Sequence, residues 1–417
     1  MIKAIRGMRD LLPPETDRWQ WVESVARKVF ELYGYREIRL PLIERTELFA
    51  RSIGEETDIV AKEMYTFPDR HGESLTLRPE ATASVLRAVI EHGLEKGAGV
   101  KKYYTLGPMF RYERPQKGRY RQFHQINCEA FGAEAPELDA EVILLLLDLL
   151  GRLKLGELRL LVNSLGCRDC QERFKAALKD FLADKEGVLC DDCRRRRVAN
   201  PLRVFDCKSP HDRQILQDAP VIRDYLDDEC AAHFARVLEL LSRFGVAYEV
   251  QPRLVRGLDY YTRTAFEVVA PGLGAQDAVA GGGRYNGLSQ ELGGPELPAI
   301  GFAIGQDRLL EVLPGNLGQD KVVKVFLASL GEAARDLAFS LLQELRRCGV
   351  AGEMDFEGRS LKAQMSLADR LQAVYVVILG DRELQTGEAQ LRRMGTGEQK
   401  QVALTELVAK LAGNLSE

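Results

Sequence analysis

The densest group of residues able to do chemistry starts at Phe110, where Arg111-Tyr112-Glu113-Arg114-Pro115-Gln116-Lys117-Gly118-Arg119-Tyr120-Arg121 holds five bases and one acid. The planar fork of arginine matches phosphate oxygens two at a time, so a polyphosphate or RNA is the natural ligand. A solvated basic hairpin turning at Pro115 and Gly118 is the plainer alternative. Directly after it, Gln125, Asn127 and Glu129 alternate with Ile126, Cys128 and Ala130. On a strand that places an amide and a carboxylate on one face.

Two further clusters follow. Arg256-Gly257-Leu258-Asp259-Tyr260-Tyr261-Thr262 gathers an arginine, an acid and two phenols around a glycine, and it also reads as an ordinary turn entering a strand. Ala280-Gly281-Gly282-Gly283-Arg284-Tyr285, with the later stretch from Pro298 to Arg308, has glycines that permit close approach of a ligand or a strand. No Walker loop and no strand, G-x-G-x-x-G and helix pattern is present, so phosphate binding must rest on arginines. Cys167-x2-Cys170 and, 19 residues later, Cys190-x2-Cys193 are close to the spacing of a four-thiolate zinc site. Zinc held by Cys167, Cys170, Cys190 and Cys193 would be structural, with four reduced thiols as the alternative. The histidines His71, His92, His124, His211 and His233 are scattered, and no serine or cysteine nucleophile signature accompanies them.

The elements that must position these groups follow from periodicity. Trp19, Val22, Val25, Ala26, Val29 and Phe30 predict an amphipathic helix over 16–31 that Gly34 ends. A strand over 35–40 stops at Pro41, and 44–49 reads as helix. Strands are expected at 74–77, 101–106, 123–131, 157–162 and 247–251, and a long helix over 138–153. That spacing favours an antiparallel sheet with helices packed on it. Residues 167–244, with the run Arg194 to Arg197, form an inserted helical subdomain. A linker over 314–320 then precedes a strand at 322–328, helices at 332–347 and 361–370, and a strand at 374–379. The expected division is a core in two parts, 1–165 and 246–315, an insertion over 166–245 and an α/β domain over 321–417.

At 417 residues the chain has room for two to four domains. Its 45% apolar and 29% charged content excludes disorder and fibrous repeats. Apolar runs such as 142–147 are far too short to span a bilayer. Lys3, Arg6, Arg9 and Asp10 give the start none of the layout of a secretory signal, and eight cysteines are modest usage for this length. A cytoplasmic protein is therefore expected. With 58 bases against 62 acids the net charge is -4, so any nucleic-acid site must be a local patch.

Taken in order, Gly7 to Pro13, the Phe110-Arg111-x-Glu113-Arg114-Pro115-Gln116 hairpin, Arg256 to Thr262, Gly301 to Arg308 and 375–380 resemble the histidine–tRNA ligase family of class II synthetases, over nearly all the chain. The resemblance implies an α+β fold: a six-stranded antiparallel sheet with flanking helices, a helical insertion, and a C-terminal α/β domain that reads the anticodon. It implies ATP-dependent ligation of L-histidine to its tRNA through histidyl-adenylate, with Mg²⁺ accompanying ATP. Arg111 would grip the α-phosphate and Arg119 and Arg308 the outer phosphates, with Glu113 and Gln125 also in the ATP site. Glu80, Ala81, Thr82, Arg111, Gln125 and Glu129 would hold the amino acid, the carboxylates pairing with its α-ammonium. Arg256 would sit near the substrate carboxylate and α-phosphate, catalytic together with Arg111, and Tyr260 and Tyr261 around the imidazole. Segment 35–49 resembles the family's dimer interface, implying a C2 homodimer. Three departures stand out: Ala81 where the family usually has glycine, Asn286 where it often has aspartate, and Gln306-Asp307 where a glutamate commonly precedes the arginine. The rivals are the synthetase-like regulatory subunit of ATP phosphoribosyltransferase in histidine biosynthesis, which typically lacks the Arg256 signature and the anticodon domain, and a tRNA sensor without chemistry.

Overall fold

The computed structural model describes residues 2–54, 57–207, 209–271, 278–315, 317 and 323–414, in two compact units, Met1–Leu317 and Gly318–Glu417. Of the expected linker, residues 316 and 318–320 lie outside the described residues, as does 322 of the strand expected after it.

In the first unit α1 (Glu15–Leu32) carries its apolar stripe as the periodicity predicts, burying Trp19, Val22, Ala26, Val29 and Phe30. The strand expected at 35–40 shrinks to β1 (Arg36–Glu37), because beyond Ile38 the chain leaves the sheet edge toward Pro41. Residues 44–49 are not simply helical. They divide between β2 (Ile43–Arg45) and α2 (Thr46–Ile53), β2 joining β3 (Tyr65–Pro68) and β4 (Ser74–Leu77) in a small antiparallel sheet. Then come α3 (Thr82–Glu91), β5 (Lys101–Phe110), β6 (Gln122–Phe131), α4 (Pro136–Arg152) and β7 (Arg159–Ser164). An insertion follows with α5 (Arg168–Ala183), α6 (Asp191–Ala199), α7 (Pro210–Ile215) and α8 (Asp228–Arg243), joined by 3-10 turns. After it the chain returns through β8 (Glu249–Val250), β9 (Thr262–Val269), β10 (Ala278–Arg284), α9 (Leu288–Glu291), β11 (Ala299–Gly305) and α10 (Gln306–Val312).

The main sheet has the order β1-β5-β6-β11-β10-β9-β7-β8. Its inner six strands are antiparallel, and the two-residue edge strands pair in parallel, β1 with β5 and β8 with β7. The sheet is therefore mixed, with the expected antiparallel six at its centre. Period-two alternation gives it two unlike faces. Ile126, Cys128 and Ala130 of β6 are fully buried in one core with α1, α4 and α8, where Phe30 stacks on Tyr104 at 4.5 Å. Gln125, Asn127 and Glu129 point to the opposite face, which the helices leave open as a cavity.

Beneath the rim of that face runs a buried ionic network. Arg284 and Asp139 are both wholly inaccessible and form an ion pair, His233 Nε2 lies 2.9 Å from Asp139 Oδ2, and Arg284 Nη1 donates to Ala133 O at 2.9 Å. Burial alone would raise the Asp139 pKa, yet His233 and Arg284 hold it below the usual value. The network ties α4, α8 and β10 together.

In the second unit β12 (Val325–Ser329) is parallel to β13 (Gly352–Met354) and β14 (Tyr375–Leu379), and β15 (Glu388–Arg393) and β16 (Gln399–Ala403) extend the sheet antiparallel. Helix α11 (Glu332–Arg347) packs on the Val325 and Leu327 face, and α12 (Leu361–Arg370) on the Phe326 and Ala328 face. Helices α13 (Asp381–Thr386) and α14 (Leu404–Asn414) complete the unit. Among the described residues no helix is long and apolar enough to cross a membrane.

Removing one partner of a fully buried ion pair leaves the other charge uncompensated, which costs about 3–5 kcal/mol. Asp139→Ala is therefore expected to lower stability by about that much, read as a drop in the urea midpoint. A shift below about 1 kcal/mol would show that the network is not a keystone of the unit.

Candidate active site

The open face of β6, β10 and β11 forms the floor of a cavity of about 250 Å³. Strand β6 grades it from end to end: the arginine-bearing hairpin that connects β5 to β6 lies at its Gln122 end, and Glu129 lies deep at the other, 1% exposed.

At the first end Arg111, Arg119 and Arg308 converge. The hairpin turns where Gln116 bridges to Arg119, with Gly118 at a positive φ of 68°. A β-carbon on Gly118 would lie 3.3 Å from Arg308 Cγ, so this turn is folded against α10 and is not a free solvated arm. Each guanidinium has one anchor: Arg111 Nε donates to Pro79 O at 2.9 Å, Arg308 Nη1 to Ala278 O at 3.1 Å, and Arg119 pairs with Glu113 at 3.0 Å. Burial first, and then the positive charge of Arg119 and Arg111 against the opposing Glu113 and Glu267, hold the Arg308 pKa below its ordinary value. Three cations facing one space with few counter-charges make a site for a polyanion.

At the deep end Glu129 accepts from Thr82 Oγ1 at 2.7 Å and from Tyr285 OH at 2.5 Å, under Tyr260 and Tyr261. Burial pushes its pKa up to about 8, with the two hydroxyls opposing and the nearby Glu80 adding to the rise. Burial likewise raises Glu80, although Thr82 N and Ala83 N, at the start of α3, donate to it at 2.6 and 2.9 Å. Between the two ends Arg256 pairs with Glu267 at 2.7 Å and lies across Gly281, where any β-carbon would strike its guanidinium. A β-carbon on Gly301 would strike the Glu129 carboxylate. Gly281 and Gly301 thus leave room for the Arg256 guanidinium and the Glu129 carboxyl over the sheet. Gln125 Oε1 and Asn127 Oδ1 are buried here with no hydrogen-bond partner among the described residues.

The structure brings Glu80, Thr82, Arg111, Glu113, Arg119, Gln125, Glu129, Arg256, Tyr260, Tyr261 and Arg308 into one cavity wall. Ala81 does not line it. Ala81 is fully buried, and its carbonyl accepts from Val85 N to begin α3. Its φ of -107° is ordinary for alanine, so the departure from glycine costs nothing there. Asn286 keeps an acceptor for Ala299 N and donates to Glu134, a carboxylate that an aspartate at 286 would repel. Asp307 accepts from His124 N at 2.7 Å, so it braces β6 against α10.

The four-thiolate set is corrected. Cys167 and Cys170 do not meet Cys190 and Cys193. They gather with Cys230 and Asp227, whereas Cys190 and Cys193 gather with Cys207 and Asp212, because each C-x2-C pair opens a different helix, α5 or α6. Sequence reasoning also passed over Glu267, legible only as an acid on the Arg256-facing side of β9, and Arg203, whose guanidinium donates to Gly257 O at 2.8 Å and Asp259 Oδ1 at 2.9 Å. Arg203 carried no local signal, since its partners lie 54 and 56 residues away. Arg195, Arg196 and Arg203 border a second cavity of about 310 Å³ that shares Arg111 and Arg119 with the first.

Residues 7–309 match the family described as Histidyl-tRNA synthetase, and residues 324–414 match the Anticodon binding domain. A protein named Histidine--tRNA ligase from Desulfatibacillum aliphaticivorans is 54% identical over the whole of both chains. One of the same name from Halothermothrix orenii is 50% identical over 98% of this chain and 99% of its own. The crystal structure of the apo S. aureus histidyl-tRNA synthetase superposes with a TM-score of 0.85 at 37% identity, covering 99% of this chain and 100% of that one.

In the folded protein Glu129 keeps its proton up to about pH 8, against 4.5 for the ordinary carboxyl. A raised folded pKa gives stability that is complete below the unfolded value and is lost as pH rises through the folded one. Between pH 5 and 8 the urea stability of the wild type should therefore fall relative to Glu129→Gln, by up to about 1.4 kcal/mol per pH unit. Parallel stability curves for the two proteins would refute the assignment.

Proposed function

The chain belongs to the histidyl-tRNA synthetase family, and from that premise we infer how its cavity works. The protein is an aminoacyl-tRNA ligase that charges tRNA with L-histidine at the expense of ATP, through a histidyl-adenylate. We assign 1–165 and 246–315 to the catalytic core, 166–245 to the insertion and 321–417 to anticodon recognition, and we place the enzyme in the cytoplasm, with its ATP and tRNA.

The observation that carries this reading is the convergence of Arg111, Arg119 and Arg308 at one end of β6 and of Glu129, Tyr260 and Tyr261 at the other, with Arg256 between. ATP, taken up as its Mg²⁺ complex, which lowers the charge of the departing pyrophosphate, lays its α-phosphate on Arg111 and its outer phosphates toward Arg119 and Arg308. Histidine enters the deep end, its α-ammonium toward Glu80, Thr82 and Gln125. Its imidazole reaches the phenols and also Glu129, which we move from the expected ammonium-pairing set because it keeps its proton up to about pH 8 and so suits a ring nitrogen better than a cation. That end satisfies ring nitrogens with hydrogen bonds and would leave polar groups unpaired against an apolar analogue, which is how such a site rejects one.

Arg256 then stands at the junction of the two substrates. The α-carboxylate oxygen attacks the α-phosphorus, the bond to the bridging oxygen breaks, and pyrophosphate leaves. Arg111 and Arg256 face the negative charge that builds on the phosphoryl oxygens, held in place beforehand by Pro79 O and Glu267. A terminal ribose hydroxyl of the tRNA next attacks the histidyl carbonyl and AMP departs. No enzyme nucleophile takes part, and the rate comes from positioning and fixed charge. The regulatory-subunit reading is weaker, because this chain keeps the Arg256 signature and the anticodon-binding unit.

Arg256→Ala should lower histidine-dependent exchange of pyrophosphate into ATP by about 10²–10³ while tRNA binding is kept. Full exchange in that variant would overturn the role given to Arg256. The resemblance of 35–49 to a dimer interface supports a C2 homodimer, and light scattering should give about twice the 46.7 kDa chain mass, a single chain mass refuting it.

A further inference from the structure

Away from the cavity, six of the eight cysteines and two aspartates are drawn into two clusters of the same make. Cys167, Cys170, Cys230 and Asp227 form one, and Cys190, Cys193, Cys207 and Asp212 the other, with the four donor atoms of each within 4.8 Å of one another. In the first, Cys167 Sγ lies 3.5 Å from Cys170 Sγ, and both sulfurs lie 3.1 Å from Asp227 Oδ2. In the second, Cys190 Sγ is 3.8 Å from Cys207 Sγ, and Cys207 Sγ is 3.6 Å from Asp212 Oδ2. A zinc–sulfur bond of about 2.3 Å makes the edge of a tetrahedral thiolate site about 3.8 Å. The sulfur–sulfur separations of 3.5 and 3.8 Å sit near that edge.

The backbone around the clusters is shaped to hold them. Gly166 has φ +65°, and a β-carbon there would collide with Cys170. Asp227 divides its carboxylate, Oδ1 accepting from Cys230 N at 2.7 Å to cap α8 and Oδ2 facing the thiols. Asp212 is 1% exposed and accepts from Cys190 N at 3.1 Å. Helix α6 buries only Cys193, so no apolar stripe explains why it is docked where it is. A disulfide in either cluster would use two sulfurs and leave the third, with a carboxylate, unaccounted for.

We propose that each cluster binds one Zn²⁺ through three thiolates and one carboxylate oxygen, so that the chain carries two structural zinc sites. Each site releases three thiol protons as the metal binds, and four protein ligands close its coordination shell against water or substrate. The sulfur-rich donor set selects zinc over hard cations such as Mg²⁺. The first site staples the two ends of the insertion, the chain entering α5 and the chain entering α8. The second joins the start of α6 to the segment after Pro201–Asp206, and so positions Arg203 against Gly257 and Asp259.

The test is elemental analysis of the full-length protein, expressed with zinc and purified reduced and without chelator. About two zinc ions per chain are expected. Cys207→Ala and Cys230→Ala should each lower that to about one, since each breaks a different site. Folded wild type with no zinc, zinc content unchanged in both variants, or disulfides within the clusters would each overturn the proposal. If either variant fails to fold, cobalt titration of the metal-stripped wild type decides: thiolate-to-cobalt absorption should saturate at about two equivalents, and saturation at one or none refutes two sites.

Discussion

Arg111, Arg119 and Arg308 carry like charge into one cavity, and the surrounding backbone is arranged to keep them there. Burial first, and then the like charge of Arg119 and Arg111, lower the Arg308 pKa. Flexible arginines would swing into solvent. Here Pro79 O, Ala278 O and Glu113 each hold one of the three, and the carbonyls belong to backbone fixed by the small sheet and by β10. A site already organised for negative charge need not reorganise when charge develops, which is where electrostatic catalysis draws its advantage.

The same sheet must also keep the buried Glu129 carboxyl apart from those cations. Distance along β6 does this. Gln125 and Glu129 are four residues apart on one face, roughly 13 Å at strand rise, so the phosphate end and the carboxyl end are separated by a substrate's length. Glycine supplies the remaining room. Side chains at 281 or 301 would displace Arg256 or Glu129 respectively, and the neighbouring positions of β10 and β11 pair normally in register. Room over the floor is thus made by leaving out β-carbons where β10 and β11 pair in unbroken register.

What was legible in the sequence was what depends on local period and residue type. The alternation of Gln125, Asn127 and Glu129 with Ile126, Cys128 and Ala130 is a property of any strand, and α1 announces its buried stripe by its own spacing. Edge strands were not legible, since β1 pairs only at Tyr103 and Tyr104 and nothing local tells two residues of strand from six. The antiparallel pair β15 and β16 of the second unit was missed because Glu388–Arg393 and Gln399–Ala403 are largely polar. The cysteine spacing was seen but wrongly joined. A C-x2-C pair specifies that two sulfurs can share a centre, not which distant residues complete it, and the completing groups, Asp212, Asp227, Cys207 and Cys230, are fixed by how the insertion folds.

Through Arg203 the insertion reaches the loop that borders the cavity, although it contributes nothing to the sheet. Gly257 and Asp259, the two groups that Arg203 holds, flank Leu258 between Arg256 on one side and Tyr260 on the other. A shift of the 3-10 segment that carries Arg203 must therefore move Arg256 and Tyr260 together. Isolated exposed ion pairs such as those of Arg194 and Arg195 are too weak and too screened to fix such a segment. Arg203 differs from them in being 13% exposed and in making its contacts with two groups of one loop, and that geometry makes the docking of the insertion a condition of the cavity's shape.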